Sequence, residues 1–366
     1  RNVKILDPAC GSGAFLNAAF DYLHLKGTEI NNQLSQLQGG QASLFDLDKH
    51  ILRYNLFGVD INPESIEITK LSLWIKTANR NEELTSLDEN IKCGNSLVED
   101  SNVDPDKSFK WSEQFPEIMK EGGFDVVIGN PPYGAYVNTE TKEYLKEHFQ
   151  SYNQNFDVYT AFIELSFSLL KNKAYLGFIM PVSWQTGVKY ISTRNYLSDN
   201  TTLLEAIKLP YDIFKAYVDT GIYIIQNGFT EHYKTNVFEF PIRFNDEKAF
   251  ENQLKFNELV STSWRNTEDK KIVLNPNFYT FNNKVRHGTE KLEYFMESIR
   301  GILANREDIL EEPKSEQHRL YFTGDLYRYE IRKAFKYVRY GDNLKEYPRD
   351  DKYFEGPRIL VRRLIN

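Results

Sequence analysis

Gly129-Asn130-Pro131-Pro132-Tyr133 brings together the residue types needed to hold a planar amine. Each proline fixes its own φ, lacks an N–H and pushes the preceding residue out of the helical region, which leaves Asn130 and Pro131 extended with free carbonyls. The side-chain oxygen of Asn130 and the main-chain oxygen of Pro131 can both accept hydrogen bonds from one NH2 group, and Tyr133 can stack on the ring that carries it. An exocyclic amine on a base is a poor nucleophile because its lone pair is delocalised into the ring. Two fixed acceptors favour the pyramidal, charge-developing form in the transition state without a strong base. These are the parts needed to methylate an aromatic amine. The same residues also make an ordinary turn after a strand, so the elements around them decide between the two readings.

The ledge ends the apolar run Phe124-Asp125-Val126-Val127-Ile128, which reads as a buried strand. At the start of the chain Val3-Lys4-Ile5-Leu6 reads as a strand, Asp7-Pro8-Ala9-Cys10-Gly11-Ser12-Gly13 as a tight turn and Ala14 to Leu25 as an amphipathic helix. Gly11 and Gly13 permit a ligand to approach the backbone, and the helix start offers free N–H groups to a carboxylate. Leu16 stands where a dinucleotide fingerprint has its third glycine, which weakens a nicotinamide reading but leaves room for a cofactor without a pyrophosphate. Residues 27–49 are rich in Gln, Asn and Gly and read as an insertion.

A second strand, Leu56 to Asp60, ends in a carboxylate and is followed by Asn62 as a helix cap and Pro63 at the first helical position. Ile68, Leu71, Ile75 and Ala78 then mark the expected core face of that helix. Asp60, at a strand tip, is placed either to take two ribose hydroxyls or to sit solvated in a turn. Ile91 to Gly94 reads as a third strand, with Asn95 beyond it, a turn residue whose amide can also read an adenine edge. The glycine turn, Asp60, Asn95 and Asn130 thus converge at the C-terminal ends of four strands, where open α/β sheets bind ligands.

A helix over Tyr159 to Leu170 and strands over Ala174 to Met180, Leu204 to Leu209 and Ile222 to Gln226 follow, with Phe214 in a loop as core plug or stacking platform. Beyond Val237 the pattern fades, apart from a helix carrying Leu292, Phe295, Ile299 and Leu303; residues 306–317 read as a charged linker and 358–365 as an alternating strand.

The 366 residues suffice for one large or two modest domains. No long apolar run or signal-like start appears, so the chain is expected to be soluble and cytoplasmic, with no membrane partner. Cys10 and Cys93 have no metal-ligand spacing, and no metal site is expected. The net charge is −7, yet the stretch from Pro313 onward holds 13 Lys and Arg against 8 Asp and Glu, many beside tyrosine. That interleaving suits phosphate contacts and base stacking, or a solvated domain edge.

The ordered set Asp7-Pro8-Ala9-Cys10-Gly11-Ser12-Gly13-Ala14-Phe15, Gly58-Val59-Asp60 and Asn130-Pro131-Pro132-Tyr133 resembles the gamma-class S-adenosylmethionine-dependent DNA adenine-N6 methyltransferases. The chain as a whole is similar to the methylase portion of type IIG restriction-modification enzymes. The resemblance implies a class I methyltransferase Rossmann-like doubly wound α/β sheet over 1–236, a helical connector over 237–312 and the start of a truncated DNA target-recognition domain over 313–366. It implies S-adenosylmethionine as cofactor and double-stranded DNA as partner, with an upstream nuclease, a preceding cofactor motif and the remaining recognition domain outside this chain. Asp246-Glu247-Lys248 is a weak match to a nuclease motif, so methyl transfer is expected here, not cleavage. By the resemblance Asp7, Ala9, Gly11 and Gly13 surround the methionine moiety, Asp60 holds the ribose, Asn95 meets the cofactor adenine and Phe162 packs on it. Asn130 and Pro131 hold the target amine, while Tyr133 and Phe214 sandwich a flipped adenine. The rival readings are a protein glutamine-amide methyltransferase, because that amide is another planar NH2, and a catalytically vestigial DNA-recognition subunit.

Overall fold

The computed structural model describes residues 2–37, 46–77, 85–152, 157–211, 213–214, 218–240 and 256–290, with shorter described segments between 294 and 352. In chain order these form β1 (Ile5–Asp7), α1 (Ala14–Leu37), α2 (Leu47–Tyr54), β2 (Leu56–Asp60), α3 (Pro63–Thr77) and β3 (Ile91–Cys93). Short helices α4 (Trp111–Gln114) and α5 (Pro116–Lys120) lead to β4 (Phe124–Gly129), α6 (Thr139–His148), α7 (Val158–Leu169) and β5 (Leu170–Pro181). Next come α8 (Ser183–Thr186), α9 (Ile191–Asn200), β6 (Thr201–Lys208), β7 (Thr220–Asn227), β8 (Lys234–Glu239), β9 (Asn257–Val260), α10 (Ser261–Arg265) and α11 (Pro276–Arg286).

The strands make one nine-stranded sheet in the order β3-β2-β1-β4-β5-β7-β6-β8-β9. The first five run parallel, and β7 lies antiparallel between β5 and β6. Chain order reverses about β1, so the turns after β1 and β4 open side by side. Leu6, Val59, Val127 and Leu176 have almost no exposure, as strands covered on both faces require.

Three expectations are corrected. α1 does not stop at Leu25 but runs to Leu37, because Gly27 is a packing notch: a Cβ there would lie 2.8 Å from the Leu47 side chain. In α3 the sheet-facing residues are Ile66, Thr69 and Leu73, whereas Ile68, Leu71 and Ile75 are 52%, 55% and 69% exposed; Ala78 lies outside the described residues. Thr69 takes the position against the glycine turn, and it turns the apolar stripe outward. The boundary expected after residue 236 falls inside β8, and the first unit extends to Lys284. Leu259, Trp264, Ile272 and Tyr279 belong to its main core.

The second unit begins at Val285. Among its described residues, β10 (Ile309–Leu310), within the expected linker, and β11 (His318–Tyr321) flank β14 (Lys336–Arg339) in an antiparallel sheet, while β12 (Leu326–Tyr327) pairs with β13 (Glu330–Ile331). Leu292, Ile299, Leu303, Asp246-Glu247-Lys248 and the strand expected over 358–365 lie outside the described residues; Phe295 stands in a turn, 73% exposed. No described helix is long and apolar enough to cross a membrane.

The reversed face of α3 gives a direct contrast in urea unfolding. Leu73→Ala is expected to cost about 2–5 kcal/mol, whereas Ile68→Ala stays within about 0.5 kcal/mol of the parent. Equal losses would restore the face read from periodicity.

Candidate active site at the strand ends

The turn after β1 is tied down from both sides. Gly11 and Gly13 adopt φ of 53° and 82°, which favour glycine. The Gly11 N–H donates to Asp60 Oδ2 at 2.9 Å, and its carbonyl accepts from the Thr69 hydroxyl at 2.8 Å. A Cβ on Gly13 would meet Thr69 at 2.8 Å, while one on Gly11 would meet nothing within 4 Å. The turn is therefore closed toward α3 and open over Gly11. Asp60 Oδ1 accepts the Asn62 N–H at 2.9 Å, which leaves each carboxylate oxygen a further lone pair for a ligand hydroxyl.

Asp7 ends β1 and is 1% exposed. Its Oδ1 accepts the Ala9 N–H at 3.1 Å. Burial pushes its pKa up to about 7, partly offset by the Ala9 hydrogen bond and reinforced by the negative charge of Asp60. Gly129, at the end of β4, lies directly against it: a Cβ there would come within 2.7 Å of Asp7 Oδ1.

The ledge follows. Asn130 Oδ1 is buried and has no hydrogen-bond partner. Pro131 is buried, and Tyr133 is half-buried against the main core. Beyond it the Gly134 N–H donates to Asp157 Oδ1 at 3.0 Å. Asp157 stands at the N-cap of α7. Burial raises its pKa, against the hydrogen bonds it accepts from Gly134, Tyr159 and Val158.

The structure therefore gathers Asp7, Ala9, Gly11, Gly13, Asp60, Asn130, Pro131 and Tyr133 at neighbouring strand ends. Phe162, on α7, is 7% exposed within the same core that Ala9 and Tyr133 pack against. Asn95 stands beyond β3, but its side chain donates to Asp104 at 2.8 Å and accepts the Leu97 N–H at 3.2 Å, which leaves one N–H for a ligand. Phe214 lies in the loop after β6, half-buried on Ile207, Leu209 and Phe240. Sequence reasoning missed Asp157, Thr69 and Ser96, whose hydroxyl donates to the Pro8 carbonyl at 2.6 Å; the groups they bind are 23, 58 and 88 residues away along the chain.

A parallel sheet with glycine turn, acidic second strand and Asn-Pro-Pro-Tyr ledge defines the class I methyltransferase fold. Two solved structures share that fold: the type ISP restriction-modification enzyme LlaGI, as a nuclease-deletion mutant with a DNA substrate mimic (TM-score 0.52, 14% identity, 74% of this chain and 28% of that one), and a modification subunit of a putative type I restriction enzyme from Vibrio vulnificus (TM-score 0.50, 15% identity, 81% and 57%). Residues 54–214 match the Eco57I restriction-modification methylase family. The chain is 33% identical over 270 residues to a putative type II restriction enzyme and methyltransferase of Methanocaldococcus jannaschii, covering 71% of this chain and 22% of that protein. It is 32% identical over 239 residues to the type II restriction enzyme and methyltransferase RM.Eco57I of Escherichia coli, covering 58% and 23%. The matched region thus spans less than a quarter of either relative's length.

Asp7 makes stability depend on pH. An unfolded chain ionises it near 3.8, whereas the fold keeps it protonated to about 7, so ionisation of the unfolded state erodes stability across that window. Asp7→Asn removes the effect: relative to the parent, its unfolding free energy should rise between pH 3.8 and about 7, by on the order of 4 kcal/mol, and then level off. Parallel stability curves would contradict the burial argument.

Proposed function

We propose that the protein transfers the methyl group of S-adenosylmethionine to the exocyclic amino nitrogen of an adenine swung out of duplex DNA, as part of a restriction-modification system. The observation that carries this reading is the buried, unpartnered Asn130 Oδ1 at the end of β4. Leaving an amide oxygen buried without a donor costs about 1–3 kcal/mol. An incoming NH2 removes that cost, and the contact strengthens as the nitrogen becomes tetrahedral and its hydrogens more acidic.

The residues present fit the cofactor. Gly11 offers open space above the turn, Asp60 keeps lone pairs for two ribose hydroxyls, and the remaining Asn95 N–H and Phe162 are assigned to the adenine. Asp7, Ala9, Gly11 and Gly13 are assigned to the methionine part, where a cation favours the ionised form of Asp7. When bound, the cofactor supplies an electrophilic methyl group on a sulfonium. Asn130 and the Pro131 carbonyl hold the amine in line, and Tyr133 holds the base by stacking, with Phe214 assigned to its other face. A base inside the duplex cannot reach these groups, so extrusion is part of the reaction. Residues of the second unit are assigned to the start of target recognition.

The relatives' names, restriction enzymes and methyltransferases with an adenine-specific methyltransferase of Escherichia coli among them, favour DNA over a glutamine amide. The test is incubation with tritiated S-adenosylmethionine and random-sequence duplex DNA, followed by nucleoside analysis. The expected result is label in N6-methyladenine. Label confined to protein would overturn the reading in favour of glutamine, and cofactor binding without transfer would favour a vestigial module.

A further inference from the structure

Tyr136 is the most exposed large apolar or aromatic side chain among the described residues, at 93%. Its loop is not slack. On one side the Gly134 N–H is held by Asp157 at 3.0 Å, with Gly134 at a left-handed φ of 67°. On the other, Val137 packs against the main core, and Asn138 caps α6 by accepting the Thr141 N–H at 2.8 Å. A loop pinned before and after Tyr136 holds an aromatic ring out in water in a defined place. That placement leaves the ring free to stack on a flat apolar face.

Position narrows the partner. Tyr136 follows Tyr133 by three residues, so their Cα atoms are at most about 11 Å apart. On the functional reading above, on which this inference rests, Tyr133 stacks on a base outside the duplex. Extrusion leaves a slot one base thick, bounded by two base faces that have lost their stacking partner. A phenol ring fits such a slot and recovers stacking on both faces, as apolar wedges do when inserted at base steps. We infer that Tyr136 enters the duplex and fills the gap vacated by the target adenine, so that one short loop carries both the residue that receives the base and the residue that replaces it.

The experiment uses the full chain and a duplex bearing the site mapped from DNA that the wild-type protein has methylated. Methyl transfer is measured for wild type, Tyr136→Ala and Tyr136→Trp on this duplex and on one in which the target adenine faces an abasic site and is already unpaired. Fluorescence of 2-aminopurine at the target position reports extrusion. Tyr136→Ala is expected to lower kcat/KM about 10- to 100-fold on the intact duplex, with weaker fluorescence, and to recover most of that loss on the abasic duplex. Tyr136→Trp should keep near wild-type rates, and cofactor affinity by calorimetry should be unchanged in both variants. Wild-type rates for Tyr136→Ala on the intact duplex, or an equal loss on both duplexes, would overturn the inference and leave the functional reading standing. A wild-type protein that labels no DNA would remove both.

Discussion

The contact on which the site depends is the packing of Gly129 against the buried carboxylate of Asp7. β1 and β4 are parallel neighbours, with Ile5 opposite Val126 and Leu6 opposite Val127, so their C-terminal ends emerge together. Any side chain at position 129 would strike Asp7 Oδ1 at 2.7 Å. With glycine there the chain passes close over the carboxylate and delivers Asn130 beside the glycine turn. The geometry that sets Asn130 next to the glycine turn is thus a property of two adjacent strands, and loop adaptability has little part in it.

Around that contact each neighbouring strand end is tied to the next through main-chain atoms. Asp60 at the end of β2 holds the Gly11 amide, Thr69 on α3 holds the Gly11 carbonyl and Ser96 beyond β3 holds the Pro8 carbonyl. Asp157 before α7 holds the Gly134 amide beyond the ledge. These cross-links fix the site before any ligand arrives, which is how pre-organisation lowers the cost of binding and of reaching the transition state. The carboxylates serve two ends: Asp60 and Asp157 order backbone, while burial holds Asp7 poised between its two protonation states near neutrality.

Much of this was legible in the sequence because the chemistry there is local. Continuous apolar runs marked β2 and β4, Asn62 capped α3 as expected, its side chain accepting the Glu64 N–H at 2.8 Å, and the proline pair marked the ledge. The misreadings were of long-range packing. A helical apolar period fixes a stripe but not which way it faces, and in α3 a small polar residue, Thr69, won the buried side because the glycine turn leaves no room for more. Gly27 read as the start of an insertion because in sequence a packing notch looks like a flexible joint. Asn95 is not among these misreadings: it binds Asp104 as a turn residue and keeps one N–H. Asp157 drew no reading in sequence, because the Gly134 amide whose hydrogen bond it accepts lies 23 residues away along the chain.

The central claim is that the buried oxygen of Asn130 meets the target amine in the transition state. The most direct measurement is single-turnover methyl transfer by Asn130→Ala with cofactor affinity measured in parallel by calorimetry. A fall of about two orders of magnitude or more in the transfer rate, with cofactor affinity nearly unchanged, is the predicted result. An unchanged transfer rate, or a loss of cofactor affinity that accounts for the whole defect, would contradict it.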